Sequence, residues 1–465
     1  MSSVEAQSVS GAAANPGPPP GLAERRALEH RGTPTVQRSA DPKKRSLAPL
    51  SISIISINYR PELTGIAVYS SDMAEFFASH GHQVDVHTGF PYYPTWQKQP
   101  EDQGRLFQRL TLEGVRVRRC YLYVPRRPSA LRRILHEFTF TISASCSYLL
   151  ARRSDVTIIV APPLPLGIPI ALIARLKSSK CIFHVQDLQP DAALELGMLR
   201  AGSLTRILFA MERITYGLVD RVSTISLAMR AKIIAKGIDP RRVWLFRNWA
   251  NDDMITASAE DLSLRDEWNY ANRFVVLYAG NMGVKQGLDS VLDAARLLQD
   301  VPEIVFVIVG AGGEKDMLLE KARRLNLKNV DFRPPVPKSD LARLLACADV
   351  SVIPQKAGVK DIVLPSKLAN LLLSRRTVVA AAAPESELGQ LILGANCGLL
   401  SEPGDPHTLA AAINHLRNHP EERRAMADRG AAFAREHLGL RTILSGFLES
   451  LEELRDSAGL RQSTT

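Results

Sequence analysis

Two successive runs of alternating strand and helix signals constrain this chain more than any other feature. Short apolar segments fall at 51–57, 83–88, 156–161, 181–186 and 221–225, and segments of helical spacing such as 68–80, 167–177 and 203–217 lie between most of them. The apolar segments are hydrophobic on both faces, the pattern of parallel strands covered by helices on either side. A second series begins near Arg273, with strands predicted at 274–278, 304–309, 330–332, 350–353 and 377–380 and helices at 286–298, 314–324, 339–347 and 366–374. The polar, aperiodic stretch 248–273 separates the two series.

The pattern predicts an α/β chain of two Rossmann-like, doubly wound domains. The first spans 49–250, a linker 251–272, and the second 273–436, with further helices near 406–417, 421–436 and 440–455. At 465 residues the chain exceeds what one core organises. Residues 1–48 are rich in Ala, Gly, Pro, Ser and charge, and predict a disordered tail; 457–465 predicts a second, flexible one. Open α/β sheets bind ligands outside the carboxyl ends of their strands, so two such domains predict a cleft between two carboxyl edges.

The strand-to-helix turns carry the chemistry. After the first strand comes "NYRPELTGIAVYSSDM" (58–73), in which Gly65 stands alone. A dinucleotide fingerprint needs three glycines and a later acid, so NAD binding is disfavoured, while Gly65 still lets backbone approach a ligand at a helix start. "LPSKLANLL" (364–372) puts Pro365 at the first helical position, Ser366 and Lys367 in the first turn, and Asn370 about one turn on. Free N–H groups and a lysine there suit a diphosphate, and Asn370 is placed to reach a ribose hydroxyl. "YAGNMGVKQG" (278–287) and "VGAGGEK" (309–315) add two glycine turns, with Lys285 in the first and Gly310 and Gly312 in the second. In the first domain "HVQDLQPD" (184–191) places His184 and Asp187 at a strand's carboxyl end. No H-E-x-x-H, Cys/His cluster, P-loop, D-x-D or G-x-S-x-G occurs, so no metal, no cofactor and no serine nucleophile are expected.

Charge is unevenly spread. The net charge is +10, and 115–153 alone holds nine arginines against one acid, Glu137. Within 126–153 Leu131, Leu135, Phe138, Ile142 and Leu149 recur near one face of a helix, with Arg126, Arg127, Arg132 and Arg133 to one side. Two readings are open and can hold together: a core helix with a solvated basic flank, and a basic, partly apolar face resting on an anionic membrane surface, with one face in the core and the arginines toward lipid. Nucleic acid is not expected, because the arginines lack interleaved stacking aromatics. The five cysteines (120, 146, 181, 347, 397) are scattered, as for buried thiols in a reducing compartment. Neither a secretory signal nor a membrane-spanning run is read from the sequence.

"NYRPELTGIAVYSSDMAEFFASHGHQVDVHTGFPYYPTW", "HVQDLQPD", "YAGNMGVKQGL" and "LPSKLANLL" together resemble the retaining GT-B glycosyltransferases of the glycosyl transferases group one family. They are similar to its branch of colanic acid and O-antigen fucosyl or N-acetylfucosaminyl transferases, over about residues 50–455. The resemblance implies a nucleotide-sugar donor in the second domain and an acceptor in the first. It implies metal-free transfer with retained anomeric configuration, and a last helix (437–456) that packs back on the first domain. It puts Lys367 near the donor diphosphate, and Asn370 where most members carry the second glutamate of a paired-acid motif. The first acid of that pair falls at Ile362, beside Asp361; the family's Arg and Lys of the first donor turn fall at Asn281 and Gln286; Gln186 stands where many relatives have a histidine. The Gly65 turn corresponds to the family's glycine loop, which meets the donor from the opposite domain. The expected activity is sugar transfer to a polyprenyl-diphosphate-linked oligosaccharide by a cytoplasmic enzyme peripheral to the inner face of the cytoplasmic membrane. Asp187 and His184 would orient the acceptor. The departures from the paired-acid pattern favour one alternative, a GT-B protein that binds a sugar nucleotide without catalysis.

Overall fold

The first strand, β1 (Ser51–Ile55), buries Ile52 and Ile54 on one side and Ile55 on the other. Two-sided burial requires a helix layer on each face, and the computed structural model, which describes residues 48–62, 65–93, 95–127, 129–195, 202–250, 261–357 and 367–462, has both. Most of the expected N-terminal tail, residues 251–260 of the linker, and 463–465 lie outside the described residues, as do Gly358, Asp361, Ile362, Pro365 and Ser366.

After β1 the first domain runs α1 (Ile66–Ser79), β2 (Gln83–Gly89), β3 (Phe107–Leu112), β4 (Val115–Cys120), α2 (Ala130–Leu149), β5 (Val156–Ala161) and α3 (Gly167–Leu176). It continues with β6 (Lys180–Val185), α4 (Gln189–Glu195), α5 (Ser203–Leu218), β7 (Arg221–Thr224), α6 (Leu227–Ala235) and β8 (Val243–Leu245). The sheet order is β3-β4-β2-β1-β5-β6-β7-β8, with only β3 antiparallel. The β3–β4 hairpin was not anticipated. Its strands alternate arginine and threonine with apolar residues instead of forming an apolar run, and Glu113 and Gly114 turn it with positive φ at both positions.

The second domain contains α7 (Ser263–Glu267), β9 (Phe274–Ala279), α8 (Leu288–Leu297), β10 (Ile304–Val309), α9 (Lys315–Arg324), β11 (Val330–Arg333), α10 (Leu341–Ala346) and β12 (Val350–Ile353). It ends with α11 (Lys367–Leu373), β13 (Thr377–Ala381), α12 (Glu387–Ala395), β14 (Gly398–Ser401), α13 (Pro406–Asn418) and α14 (Pro420–His437). Its parallel sheet has the order β11-β10-β9-β12-β13-β14. Helix α7 lies within the stretch expected to be linker. In both sheets the winding direction reverses beside the first strand, between β1 and β5 and between β9 and β12. Crevices at such reversals are where open sheets hold ligands.

The last helix, α15 (Leu440–Gln462), packs on the first domain. Phe447 stacks on Phe246 at 3.7 Å, and Leu444, Leu448 and Leu451 join the cluster around Ile52 and Ile54. The two carboxyl edges are apposed: the first turn of α12 offers Glu387, which accepts from Ala228 N at 3.3 Å in the first turn of α6 and pairs with Arg247 at 3.6 Å. Both helices start at the carboxyl ends of their sheets.

Helix α2 departs from expectation. The face carrying Leu131, Leu135, Phe138, Ile142 and Leu149 is exposed to solvent and does not enter the core. The opposite face is buried, through Phe140, Ala144 and Tyr148 together with polar residues that find partners inside. Ser143 donates to Tyr121 O at 2.5 Å, Tyr148 Oη bonds Thr157 at 2.6 Å, and the His136 ring bonds Tyr123 O at 2.6 Å. Satisfied hydrogen bonds make that polar face tolerable in a core.

Candidate functional site

In the second domain three turns converge at the reversal point. After β9 the chain bends so that Gly280 N bonds Val309 O and Met282 N bonds Ala311 O, each at 2.8 Å. The segment after β12 returns to the same place, with Lys356 N bonded to Lys285 O at 3.1 Å. The turns interlock because they lack side chains: a Cβ on Gly310 would lie 1.9 Å from Gly280 O, and one on Gly312 would lie 2.2 Å from Met282 O.

Lys367 enters beneath this assembly from α11. Its Nζ donates to Tyr278 Oη at 3.1 Å and lies 4.4 Å from the centroid of that ring. Tyr278 Oη in turn donates to Asn281 O at 2.5 Å. Gly280, with φ 147°, is what leaves room, since a Cβ there would lie 1.9 Å from Nζ. Among the described residues no carboxylate pairs with Lys367, and burial holds its ammonium down to about 8. A half-buried cation without a counter-charge is a place where an anion is stabilised. Asn281 and Lys285 are exposed at the mouth of the turn, and Gln286 and Asn370 are half-buried. Ser366, expected beside Lys367, lies outside the described residues. Tyr278 was missed in the sequence; its position at the inward end of an apolar strand made it look like core alone.

The facing edge belongs to the first domain. Gly65 is exposed, precedes α1 with φ 60°, and faces open space. Its loop is braced by Glu62, which accepts from Asn58 Nδ2 at 2.8 Å and from the backbone N–H groups of Tyr92 and Tyr93 at 2.9 and 2.8 Å. The loop after β2 thereby lies against the Gly65 loop, with Trp96 packed edge-on to Tyr92 at 5.3 Å and the Arg133 guanidinium 5.3 Å above the Trp96 ring. Beside them is Glu137, whose carboxyl accepts from Gln189 Nε2 at 3.4 Å. Burial pushes that carboxyl up to about 7, with Gln189 pulling it partly back. Nothing in the spacing of 126–153 singled out Glu137 except that it is the one acid there, among six arginines.

Asp187 is exposed just beyond the carboxyl end of β6, where it was expected. His184 is not at the cleft. It lies inside the sheet, 2% exposed, against Phe246, with Nδ1 bonded to Ser223 Oγ at 3.0 Å and Nε2 to the Gln186 side chain at 2.9 Å. Burial depresses its basicity to about 3, so it is a neutral core histidine. Strand alternation accounts for the difference: within β6 the side chain points to the α15-covered face, whereas Asp187 has left the strand.

Arg126, Arg127, Arg132 and Arg133 are all exposed at the start of α2, and Arg132 also donates to Arg127 O at 3.1 Å. One group of metal-ligating side chains converges among the described residues: His415, His419 and Glu422. It sits where α13 meets α14, beside the Arg417–Glu303 pair that precedes β10, and so at the amino end of the strands, opposite the turns described above.

The chain matches the glycosyl transferase 4-like domain over residues 64–249 and the glycosyl transferases group 1 domain over 262–433. It is 39% identical over 351 residues to the putative colanic acid biosynthesis glycosyl transferase WcaI of Escherichia coli (strain K12), covering 74% of this chain and 86% of that protein. It is 24% identical over 288 residues to the probable glycosyltransferase WbjE of Pseudomonas aeruginosa, covering 62% and 71%. Among solved structures it resembles Anabaena Alr3699/HepE in complex with UDP, with a TM-score of 0.62, 18% identity, and coverage of 87% of this chain and 100% of that one. It also resembles WaaG, a glycosyltransferase involved in lipopolysaccharide biosynthesis, with a TM-score of 0.61, 15% identity, and coverage of 87% and 99%. With its two facing parallel-sheet domains, the chain is a GT-B glycosyltransferase and belongs to the glycosyl transferases group 1 family.

Proposed function

We propose that this enzyme moves a sugar from a UDP- or GDP-linked donor to a polyprenyl-diphosphate-linked oligosaccharide at the inner face of the cytoplasmic membrane, retaining anomeric configuration and using no metal. The observation that carries the reading is Lys367: a half-buried ammonium that pairs with no carboxylate among the described residues, at the reversal point of the second sheet, under three interlocked turns of which two are rich in glycine. HepE, of the same fold, is described with UDP, and the Escherichia coli relative is named for colanic acid biosynthesis. Synthesis of an exopolysaccharide, capsule or O-antigen is the corresponding setting.

In this reading Lys367 meets the donor diphosphate, with Asn281, Lys285, Gln286 and the backbone at Gly310 and Gly312 around it and Asn370 toward the ribose. The Gly65 loop approaches the donor from the facing domain, and Asp187 orients the acceptor. No carboxylate is assigned as nucleophile. The acceptor hydroxyl oxygen bonds to the anomeric carbon on the face from which the donor C–O bond breaks. Its proton passes to the departing diphosphate oxygen, and the nucleoside diphosphate leaves. Positive charge where the diphosphate becomes more negative is the main source of acceleration. Arg126, Arg127, Arg132 and Arg133 face anionic lipid near the acceptor.

The test is a panel of UDP- and GDP-sugars read by thermal shift, where stabilisation follows mass action, then transfer of labelled sugar to polyprenyl-diphosphate oligosaccharides. Stabilisation by one nucleotide class and transfer with retention support the reading. Stabilisation without transfer or hydrolysis would favour the second reading, a sugar-nucleotide-binding protein without catalysis, which the residues at Ile362, Asn370, Asn281 and Gln286 motivate.

A further inference from the structure

The amino edge of the second sheet carries a side-chain cluster that sugar transfer does not use. Helix α13 ends at Asn418 and α14 begins at Pro420, so His419 alone joins them and caps both. His415 lies in the last turn of α13 and Glu422 in the first turn of α14. One ligand atom from each of His415, His419 and Glu422 lies within 4.8 Å of the other two. His415 Nε2 stands 2.8 Å from Glu422 Oε2, and the two imidazole rings stack with centroids 4.1 Å apart.

Backbone and side-chain bonds fix this joint. His419 N donates to His415 O and Arg423 N to His419 O, each at 3.0 Å, and the Arg423 guanidinium donates to Leu416 O at 2.8 Å. Ligands on helix ends held in this way need only side-chain rotation to reach the separations of roughly 3.3 Å that metal bonds of about 2.0–2.1 Å impose in a tetrahedral site. The tautomer of His419 is set as well. Its Nδ1 lies 2.8 Å from His415 O, which can only accept, so Nδ1 holds the proton and Nε2 presents its lone pair in the neutral ring. A backbone carbonyl on the other ring nitrogen is the usual support of a metal-bound histidine. The arginines interleaved with the trio are turned to other partners: Arg417 pairs with Glu303 at 3.2 Å, and Arg423 lies 5.0 Å from the centroid of the Phe274 ring.

We propose that His415, His419 and Glu422 bind a divalent transition ion of the zinc class, and that the ion braces the joint between α13 and α14. Two imidazoles and one carboxylate suit zinc and its first-row neighbours; magnesium and calcium prefer oxygen ligands throughout. The ion takes the place of the proton that His415 shares with Glu422. It has no part in sugar transfer. The Arg417–Glu303 pair beside it precedes β10, whereas the Gly310 turn follows that strand, and the six residues between span roughly 20 Å. Its effect is on stability: α13 enters one core layer of the domain through Ile413 and Leu416, α14 reaches the other through Ala434, and the ion ties their ends together.

The full chain, freed of metal by dialysis against EDTA and then against buffer, is titrated with zinc chloride by calorimetry and melted with and without it; magnesium chloride is the parallel arm. Expected are binding of a single zinc ion, a melting point raised by zinc and unmoved by magnesium, and visible absorption bands when cobalt(II) replaces zinc. His419→Ala leaves the His415–Glu422 pair in place, and Glu422→Gln keeps a side chain of the same shape. Both alter exposed or half-buried groups, so each is expected to melt near the wild type without metal. Each is expected to weaken zinc binding at least about tenfold. Absence of zinc binding, equal binding by the variants (which would put the ion on Cys146 or another histidine), or an equal response to magnesium would each overturn the proposal. Sugar transfer in EDTA, below the metal-free melting temperature, is expected to match transfer with zinc. A rate that zinc raises in the wild type and not in His419→Ala would overturn the purely bracing role. Nucleotide stabilisation, read on the same protein without zinc, keeps the outcome for this site separate from that for the donor site.

Discussion

The ammonium of Lys367 rests on the ring of Tyr278, 4.4 Å from its centroid, and donates to the phenol oxygen at 3.1 Å. The arrangement aims a cation at the turn after β9, and among the described residues no carboxylate pairs with it. Lys367→Ala is expected to weaken nucleotide binding by about ten- to a hundredfold, the equivalent of roughly 1.5–3 kcal/mol for a charge-assisted contact. Melting of the ligand-free protein should hold or rise. Gly280→Ala keeps the lysine but puts a methyl group 1.9 Å from its Nζ, so it is expected to produce a similar loss. Isothermal titration with both variants checks this; normal affinity in either would remove Lys367 from the donor site.

The same lysine predicts a pH dependence. Its folded value, about 8, lies below the unfolded 10.5, so its burial cost is present in full below pH 8 and is relieved as pH climbs toward 10.5. An anionic donor favours the protonated form. Nucleotide affinity should therefore be level up to about pH 8 and then fall, by no more than about tenfold per pH unit. Titrations from pH 7 to 9 should show that slope in the wild type and lose it in Lys367→Met.

Metal removal separates mechanisms. If Lys367 and backbone N–H groups take up the charge of the leaving diphosphate, transfer in excess EDTA should equal transfer without it, and the product should keep the donor's anomeric configuration by NMR. Activity abolished by EDTA and restored by magnesium or manganese would refute metal-free transfer, and an inverted product would refute the front-face displacement.

Glu137 stores a cost that a neutral isostere relieves. Burial raises its carboxyl from 4.5 to about 7, so between those values the folded state holds a proton that the unfolded state has lost, and stability falls as pH rises through that window. Glu137→Gln should raise the melting point at pH 8, by no more than about 3 kcal/mol in stability, and should differ little from wild type below pH 4.5. Its position beside the Gly65 and Trp96 loops adds a second readout. If the carboxylate contacts the acceptor, the more stable variant should show a higher KM for acceptor with an unchanged KM for donor.

The glycine turns at 278–287 and 309–315, Lys367 and Asp187 were legible because each occupies a boundary. A change of period from strand to helix announces a carboxyl edge, and glycine or charge at that boundary has few other reasons to be there. The strands β1, β2, β5, β6, β7 and β9 to β13 were legible for the same cause, whereas β3, β4 and the short strands β8 and β14 were not. Lys367 could be nominated from its neighbours Pro365 and Ser366, but its burial could not, because that follows from Gly280, a residue 87 positions away in the chain that leaves it room.

Periodicity says that two faces of an element differ; it does not say which of them meets the core. His184 and Asp187 are three residues apart at one strand end, and only the packing of Phe246 and α15 decides that the first is sealed and the second exposed. In α2 the apolar stripe was read correctly as a stripe, but of its two readings the one that put it in the core failed, because the core accepted Ser143 and Tyr148 once Tyr121 O and Thr157 stood ready to bond them. Local sequence thus determined where most of the strands, helices and turns are. Which faces are buried, and which charges are left without a partner, depended on contacts between segments far apart in the chain, and those exist only once the tertiary structure has formed.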